Sequence, residues 1–427
     1  MQRRNLMRRA VSSVLALTSL LALSLGGAVM PTGSALGKPE RDLFEQVGRT
    51  VEKRFFDPDF NGVDWKAIRK TYQTRAAEAP SKAERVAVVN AMLAKLKTSH
   101  TRLFTADEPA YYQILGVFLA SHHELRRTLK AIRPDVTPTY TGIGFFTKEI
   151  DGKTFVSGVL DGGPAAEAGL LVGDRLLGSG GQPFHPIRSF AGKAGQPVKL
   201  TIQRSEDPGS RREITVRPRQ LDGAEMFVDA LNASVRVVER EGRRIGYAHV
   251  WSYAGEKYQR ALEHALIFGR LKDADALVLD LRQGWGGASP SYLNIFTPRT
   301  LSLTVSGRDE RPSSFGSGWS KPVVLLVDET TRSGKELLAY GFRKHGIGPV
   351  VGTRTAGAVV AGSPFAMDDG SLLYLAVADV HIDGDLRLEG VGVAPDIEVP
   401  FTLPYAQGAD PQKDRAIAVA LDLVKRR

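Results

Sequence analysis

Apolar positions change period three times along this chain. Between residues 38 and 133 they recur at helical spacing, first as Leu43, Val47, Val51 and Phe55, then as Val86, Val89, Met92, Leu93 and Leu96. Pro58 and the Asn61-Gly62 turn interrupt the first group. A third helical stretch is expected from Tyr111 to about Ile132, closed by Pro134 and Pro138. Across 140–220 the pattern shortens to β-rich runs separated by glycine turns: Gly144 to Phe146, Thr154 to Val159, Val198 to Ile202 and Glu213 to Val216. From about 235 strands and helices alternate. Arg244 to Val250 reads as a strand, Tyr258 to Leu271 as a helix, and Ala276 to Leu281 and Pro322 to Val327 as continuous apolar runs expected of strands covered on both faces. A helix is expected from about Ser333 to His345, a strand at Pro349 to Gly352 and a final helix after Pro411. This is the alternation of a layered α/β domain over 221–427.

The front of the chain follows other rules. Arg3, Arg4, Arg8 and Arg9 precede an uncharged stretch from Ala10 to Gly37, apolar from Val11 to Val29 and ending in small residues. That is the pattern of a signal peptide over 1–37, and it predicts an exported chain, periplasmic or secreted. The competing reading is an uncleaved membrane anchor, the one case in which a membrane would be a partner. These arginines account for much of the formal charge of +10, and no Lys/Arg run elsewhere is clustered enough to track a nucleic acid. With no cysteine, thiolate catalysis, disulfides and Cys-based zinc sites drop out. No H-E-x-x-H spacing occurs, and no metal or organic cofactor is called for.

Four segments carry candidate chemistry. Ser333 stands just past a buried strand at the start of a helix, beside Gly334, where free N–H groups face any developing negative charge. A serine there is also an ordinary helix cap. Asp280 to Gly287 again follows a buried strand, and its glycines suit either an oxyanion hole or a plain αβ turn. Ser99-His100 lies in a loop after a helix. Glu389 precedes a Gly-Val-Gly-Val-Ala-Pro-Asp turn, and either orients a base or joins an ordinary ion pair.

Asp-Leu-Arg-x-x-x-Gly-Gly, then a buried strand with Ser-x-x-Glu, then Gly-Val-Gly-Val-Ala-Pro-Asp is an order that resembles peptidase family S41, the C-terminal processing (tail-specific) proteases. The resemblance spans nearly everything after residue 37. It implies a ClpP/crotonase-like layered catalytic core, an N-terminal helical domain over 38–133 and an inserted PDZ-like domain over 140–220. Within that insert, Gly142, Ile143, Gly144 and Phe145 look like the loop that binds a peptide carboxylate. The chain departs from the Ser–Lys members at one place: Ala358 stands where their lysine base would be. Lys335, two residues from Ser333 on a helix, points elsewhere. The tricorn-core branch instead uses a histidine, and the matching set here is Ser333, His100, Ser99 and Glu389. The resemblance therefore implies an endopeptidase with Ser333 as nucleophile, His100 as base, and Gly286 and Gly334 at the oxyanion hole. An unshifted imidazole would make activity fall below roughly pH 6. Substrates would be proteins or peptides, and oligomerisation is left open. The non-enzymatic alternative is a pseudoprotease that only holds peptides; a further one is an apolar-ligand binder built on the same fold.

Overall fold

The computed structural model describes residues 42–297, 302–305, 313–316 and 318–427. The leader expected over 1–37 lies outside the described residues. Residues 41–427 form one compact unit.

Its centre is a six-stranded sheet in the order Arg236–Arg240, Arg243–His249, Ala276–Asp280, Val323–Val327, Val350–Gly352, Ile397–Glu398. Only the first pair is antiparallel. Side chains alternate across a strand, so the continuous apolar runs divide between two cores. Leu277, Leu279, Val323, Leu325 and Val327 face one layer of helices. Ala276, Val278, Val324 and Leu326 face the final helix, Pro411–Lys425, through Ala416, Ile417 and Ala420. The first layer contains Glu225–Ser234, Glu256–Ile267 and Gly334–Lys344. Each parallel strand therefore ends in a loop at the same edge of the sheet, the place where α/β folds bind ligands.

The front helices, Leu43–Arg54, Trp65–Glu78 and Lys82–Leu93, do not close a core alone. Val47, Val89, Met92 and Leu96 pack with Val360, Leu373 and Leu375 of a hairpin near the other end of the chain, Ala361–Ala366 and Leu372–Ala378. A short strand, Arg102–Phe104, pairs with that hairpin directly. This pairing fixes the preceding loop, Thr98 to Thr101, against the rear of the molecule. The single helix expected over 111–132 is two, Pro109–Phe118 and His123–Ile132. The break is local: His122 Nδ1 accepts from Leu125 N at 3.1 Å and so starts a new helix.

Between residues 139 and 222 lies a β-rich module. A two-stranded stalk, Thr139–Gly142 with Arg219–Asp222, carries a sheet ordered Phe145–Ile150, Lys153–Val159, Arg175–Ser179, Val198–Gln203, Arg211–Val216. Ile143, Val156, Phe190, Leu200 and Ile202 form its own core. Phe145–Ile150 is an edge strand of that sheet.

Candidate active site

The site assembles where three distant segments meet. The first is the head of the helix Gly334–Lys344. Ser333 is its N-cap and adopts φ 58° and ψ −131°, a conformation that side-chain-bearing residues rarely take. Strain of this kind costs of order 1–3 kcal/mol and sits at the turn between strand Val323–Val327 and this helix. Glu336 holds the turn. Its carboxylate accepts from Ser333 N (3.1 Å), Gly357 N (2.7 Å), Ala358 N (2.7 Å) and Thr355 Oγ1 (2.6 Å). Ser333 N also donates to Ala358 O at 2.8 Å. Burial pushes the Glu336 carboxyl up, and these donors oppose the shift.

The second segment is the loop after strand Ala276–Asp280. Asp280 is fully buried and takes hydrogen bonds from Tyr247 Oη (2.8 Å) and Arg282 Nη2 (2.7 Å). Burial opposes its ionisation, but Arg282 and His249 outweigh burial and hold the carboxyl well below its ordinary range. Arg282 then forks onto Asp410 at 2.9 and 2.7 Å, tying the loop to the final helix. From behind, the buried Lys335 Nζ donates to Trp251 O (3.0 Å) and Gln283 O (2.7 Å). Burial pulls its amine down to about 7, against the attraction of Asp280 and Asp328. Lys335 thus faces away from Ser333, as helical spacing requires. Gly286 lies against the Ser333 turn: a Cβ built on it would sit 2.5 Å from Ser333 Cβ and 3.0 Å from Gly334 N. One on Gly334 would sit 2.3 Å from Ala288 N. Only glycine fits at either place, and both backbones flank Ser333.

The third segment is the loop before Arg102–Phe104. His100, buried and at φ 53°, shares a hydrogen bond between Nδ1 and Ser99 Oγ at 2.8 Å. Ser99 Oγ donates to Glu389 Oε2 at 2.9 Å, and Ser99 N to Glu389 Oε1 at 2.8 Å. Glu389 Oε2 also accepts from Val359 N (2.7 Å) and Val360 N (3.2 Å). Glu336 and Glu389 therefore grip successive residues of one strip, 355–360, and join the Ser333 turn to the His100 loop through it. Among the described residues no hydrogen bond links Ser333 Oγ to His100, whose Nε2 has no protein partner.

A cavity of about 840 Å³ is lined by Ser99, His100, Trp285, Arg332, Ala358 and Tyr374; Ser333 itself is not among its lining residues. The module edge strand closes one side of it through Phe145, Phe146 and Thr147. Trp285 is fixed by donating from Nε1 to Gln113 Oε1 at 2.8 Å. Burial, and secondarily the charge of Arg332, depresses the His100 imidazole to about 3. The acid limb near pH 6 expected of an ordinary histidine does not hold in this environment. Gly142 and Ile143 are buried within the module. The carbonyls of Ile143 and Gly144 accept from Ala165 N (2.9 Å) and Leu160 N (3.0 Å). Glu336, Arg332 and Trp285 were not singled out from sequence. A Ser-x-x-Glu spacing was the one signal for Glu336; nothing local marks the other two.

The α/β layered core thus carries a serine at a strained turn and a buried histidine bonded to a hydroxyl that a carboxylate holds. Residues 244–399 match the model of peptidase family S41, and residues 40–94 match the tricorn protease C1 domain. Tricorn protease homolog 1 of Streptomyces coelicolor is 27% identical over 395 residues, covering 89% of this chain and 35% of that protein. The carboxyl-terminal-processing protease of a Picosynechococcus species is 27% identical over 399 residues, covering 90% of this chain and 89% of that one. The chain spans about a third of the length of the two Streptomyces tricorn homologues it matches. In fold, the tricorn protease crystal structure superposes with a TM-score of 0.50 at 18% identity, over 90% of this chain and 36% of that one. Mature CPAF with lactacystin gives 0.50 at 13%, over 90% and 98%. Over residues 244–399 the chain carries a peptidase family S41 domain, and the relatives it matches are tricorn and carboxyl-terminal-processing proteases.

Proposed function

We propose that this chain is an exported serine endopeptidase with Ser333 as nucleophile and His100 as general base. The observation that carries the reading is the His100–Ser99–Glu389 chain of hydrogen bonds, built from residues 290 positions apart, with Ser99 and His100 lining the same cavity as Arg332, the residue before Ser333. An imidazole whose Nδ1 is held this way presents Nε2 as the free acceptor, the tautomer a base needs. In the reaction, Ser333 Oγ attacks a peptide carbonyl while His100 Nε2 takes its proton and later returns it to the leaving amine. The N–H groups of Gly286 and Gly334 receive the oxyanion. Ala358 occupies the position a lysine base would need, and its N–H serves Glu336 instead. The apo distance from Ser333 to His100 is longer than a hydrogen bond, and closure on substrate supplies the shorter one.

The 140–220 segment acts as a PDZ-like substrate binder. Its edge strand Phe145–Ile150 has a free side for strand addition, and its residues 145–147 border the catalytic cavity. Export rests on the basic and apolar pattern before residue 38, and the substrates are accordingly proteins or peptides outside the cytoplasm. The missing Ser333–His100 bond favours a second reading, a pseudoprotease that only holds peptides. The purified chain incubated with casein separates the two. Cleavage that Ser333→Ala abolishes supports the enzyme; wild-type protein that leaves casein intact and does not react with a fluorophosphonate leaves the peptide holder.

A further inference from the structure

Arg332 carries a charge that no described carboxylate pairs. Its half-buried side chain lines the same cavity as His100. Its Nε is sealed from solvent with no hydrogen-bond partner, and no described carboxylate pairs with the guanidinium. The other arginine bordering the cavity differs, since Arg102 pairs with Glu108 at 2.8 Å. The acids whose fields reach Arg332 are Glu336 and Glu389, and both are spent on other donors. The Trp285 ring lies 5.9 Å from Arg332 Cζ, at the outer limit of a cation–π contact. A guanidinium whose Nε is sealed from solvent without a hydrogen-bond partner is costly, so its presence in a substrate-sized cavity calls for a partner from outside.

We infer that Arg332 is a specificity residue that receives a carboxylate of the substrate. Given the proteolytic reading, on which this rests, that carboxylate lies close to the bond under attack, because Arg332 directly precedes Ser333. The planar fork matches a carboxylate in bidentate geometry, which a lysine cannot reproduce. The carboxylate belongs to an Asp or Glu side chain or to the chain end itself.

Binding tests this without requiring cleavage. The Ser333→Ala chain is titrated with end-blocked peptides differing only as Glu or Gln at successive positions, and with a neutral peptide having a free or an amidated C-terminus. At least one carboxylate-bearing member should bind about tenfold tighter or more, as a charge-assisted pair allows. A Glu/Gln difference identifies a side chain, and a free/amide difference identifies the chain end. Arg332→Met on the same background should erase the preference, and Arg332→Lys should keep part of it. Equal binding of every pair, or a preference undiminished in Arg332→Met, overturns the inference. Failure of the proteolytic reading looks different: the wild-type chain would show the preference yet leave the bound peptides uncut.

Discussion

Replacing His100 with Gln should make the protein less sensitive to mild acid. In the folded chain burial and Arg332 hold the imidazole at about 3, against 6.5 in the unfolded chain. Between those values the unfolded state binds the extra proton, so stability rises with pH. The neutral imidazole's contribution is complete above the unfolded value and is lost as pH falls toward 3. For a shift of this size, going from pH 7 to pH 5 removes about 2 kcal/mol, and full protonation costs about 5 kcal/mol. Urea unfolding of wild type and His100→Gln at pH 7 and pH 5 isolates the term, because every other titrating group is common to both. Wild type should lose about 2 kcal/mol more than the variant over that interval. Equal losses would refute the claim that His100 is buried neutral. The same depression predicts that fluorophosphonate labelling of Ser333 shows no His100 inflection between pH 5 and 7, and that Arg332→Met moves the inflection to higher pH.

Other outcomes follow from the same contacts. Glu389→Gln places an amide among donors that now meet a carboxylate; kcat on casein should fall about 10²-fold, with a lowered Tm. Gly286→Ala drives a methyl to 2.5 Å from Ser333 Cβ, so labelling by a fluorophosphonate should fall by about 10² or more while far-UV circular dichroism is retained. Arg282→Met strands the buried Asp280 and frees Asp410, and should cost about 3–5 kcal/mol in urea unfolding. Lys335→Met removes the donor to Trp251 O and Gln283 O. It should also remove a rise in wild-type stability between pH 7 and about 10, the range over which the unfolded lysine alone holds its proton.

The four inner strands of the central sheet were legible because burial on both faces leaves a nearly unbroken apolar run, as at Ala276 to Leu281; the edge strands Arg236–Arg240 and Ile397–Glu398, short or half polar, carry no such run and were not expected. The final helix was equally plain from Pro411 and its apolar spacing. The break between Phe118 and His123 was not, because the cap that restarts the helix is the ring of His122, a residue with no strong capping preference. Ser333, His100, Ser99 and Glu389 could be grouped only through family resemblance, since alone Ser333 reads as a helix cap, Glu389 as an ion-pair partner and His100 as a structural histidine. What brings Ser99 to Glu389 is the pairing of Arg102–Phe104 with Leu372–Ala378, a contact with no local signature. Arg332 escaped notice because an arginine beside a serine normally signals a solvated surface. Its meaning comes from enclosure by Trp285, Tyr374 and His100.

A peptidyl chloromethyl ketone measures whether the two reactive groups work together, because its ketone carbon bonds to a serine oxygen and its methylene alkylates a histidine nitrogen held within reach. Peptide mapping by mass spectrometry should find His100 alkylated in the wild-type chain and unmodified in Ser333→Ala. An unmodified His100 in wild-type protein, or equal alkylation without Ser333, would contradict the pairing of this imidazole with this hydroxyl.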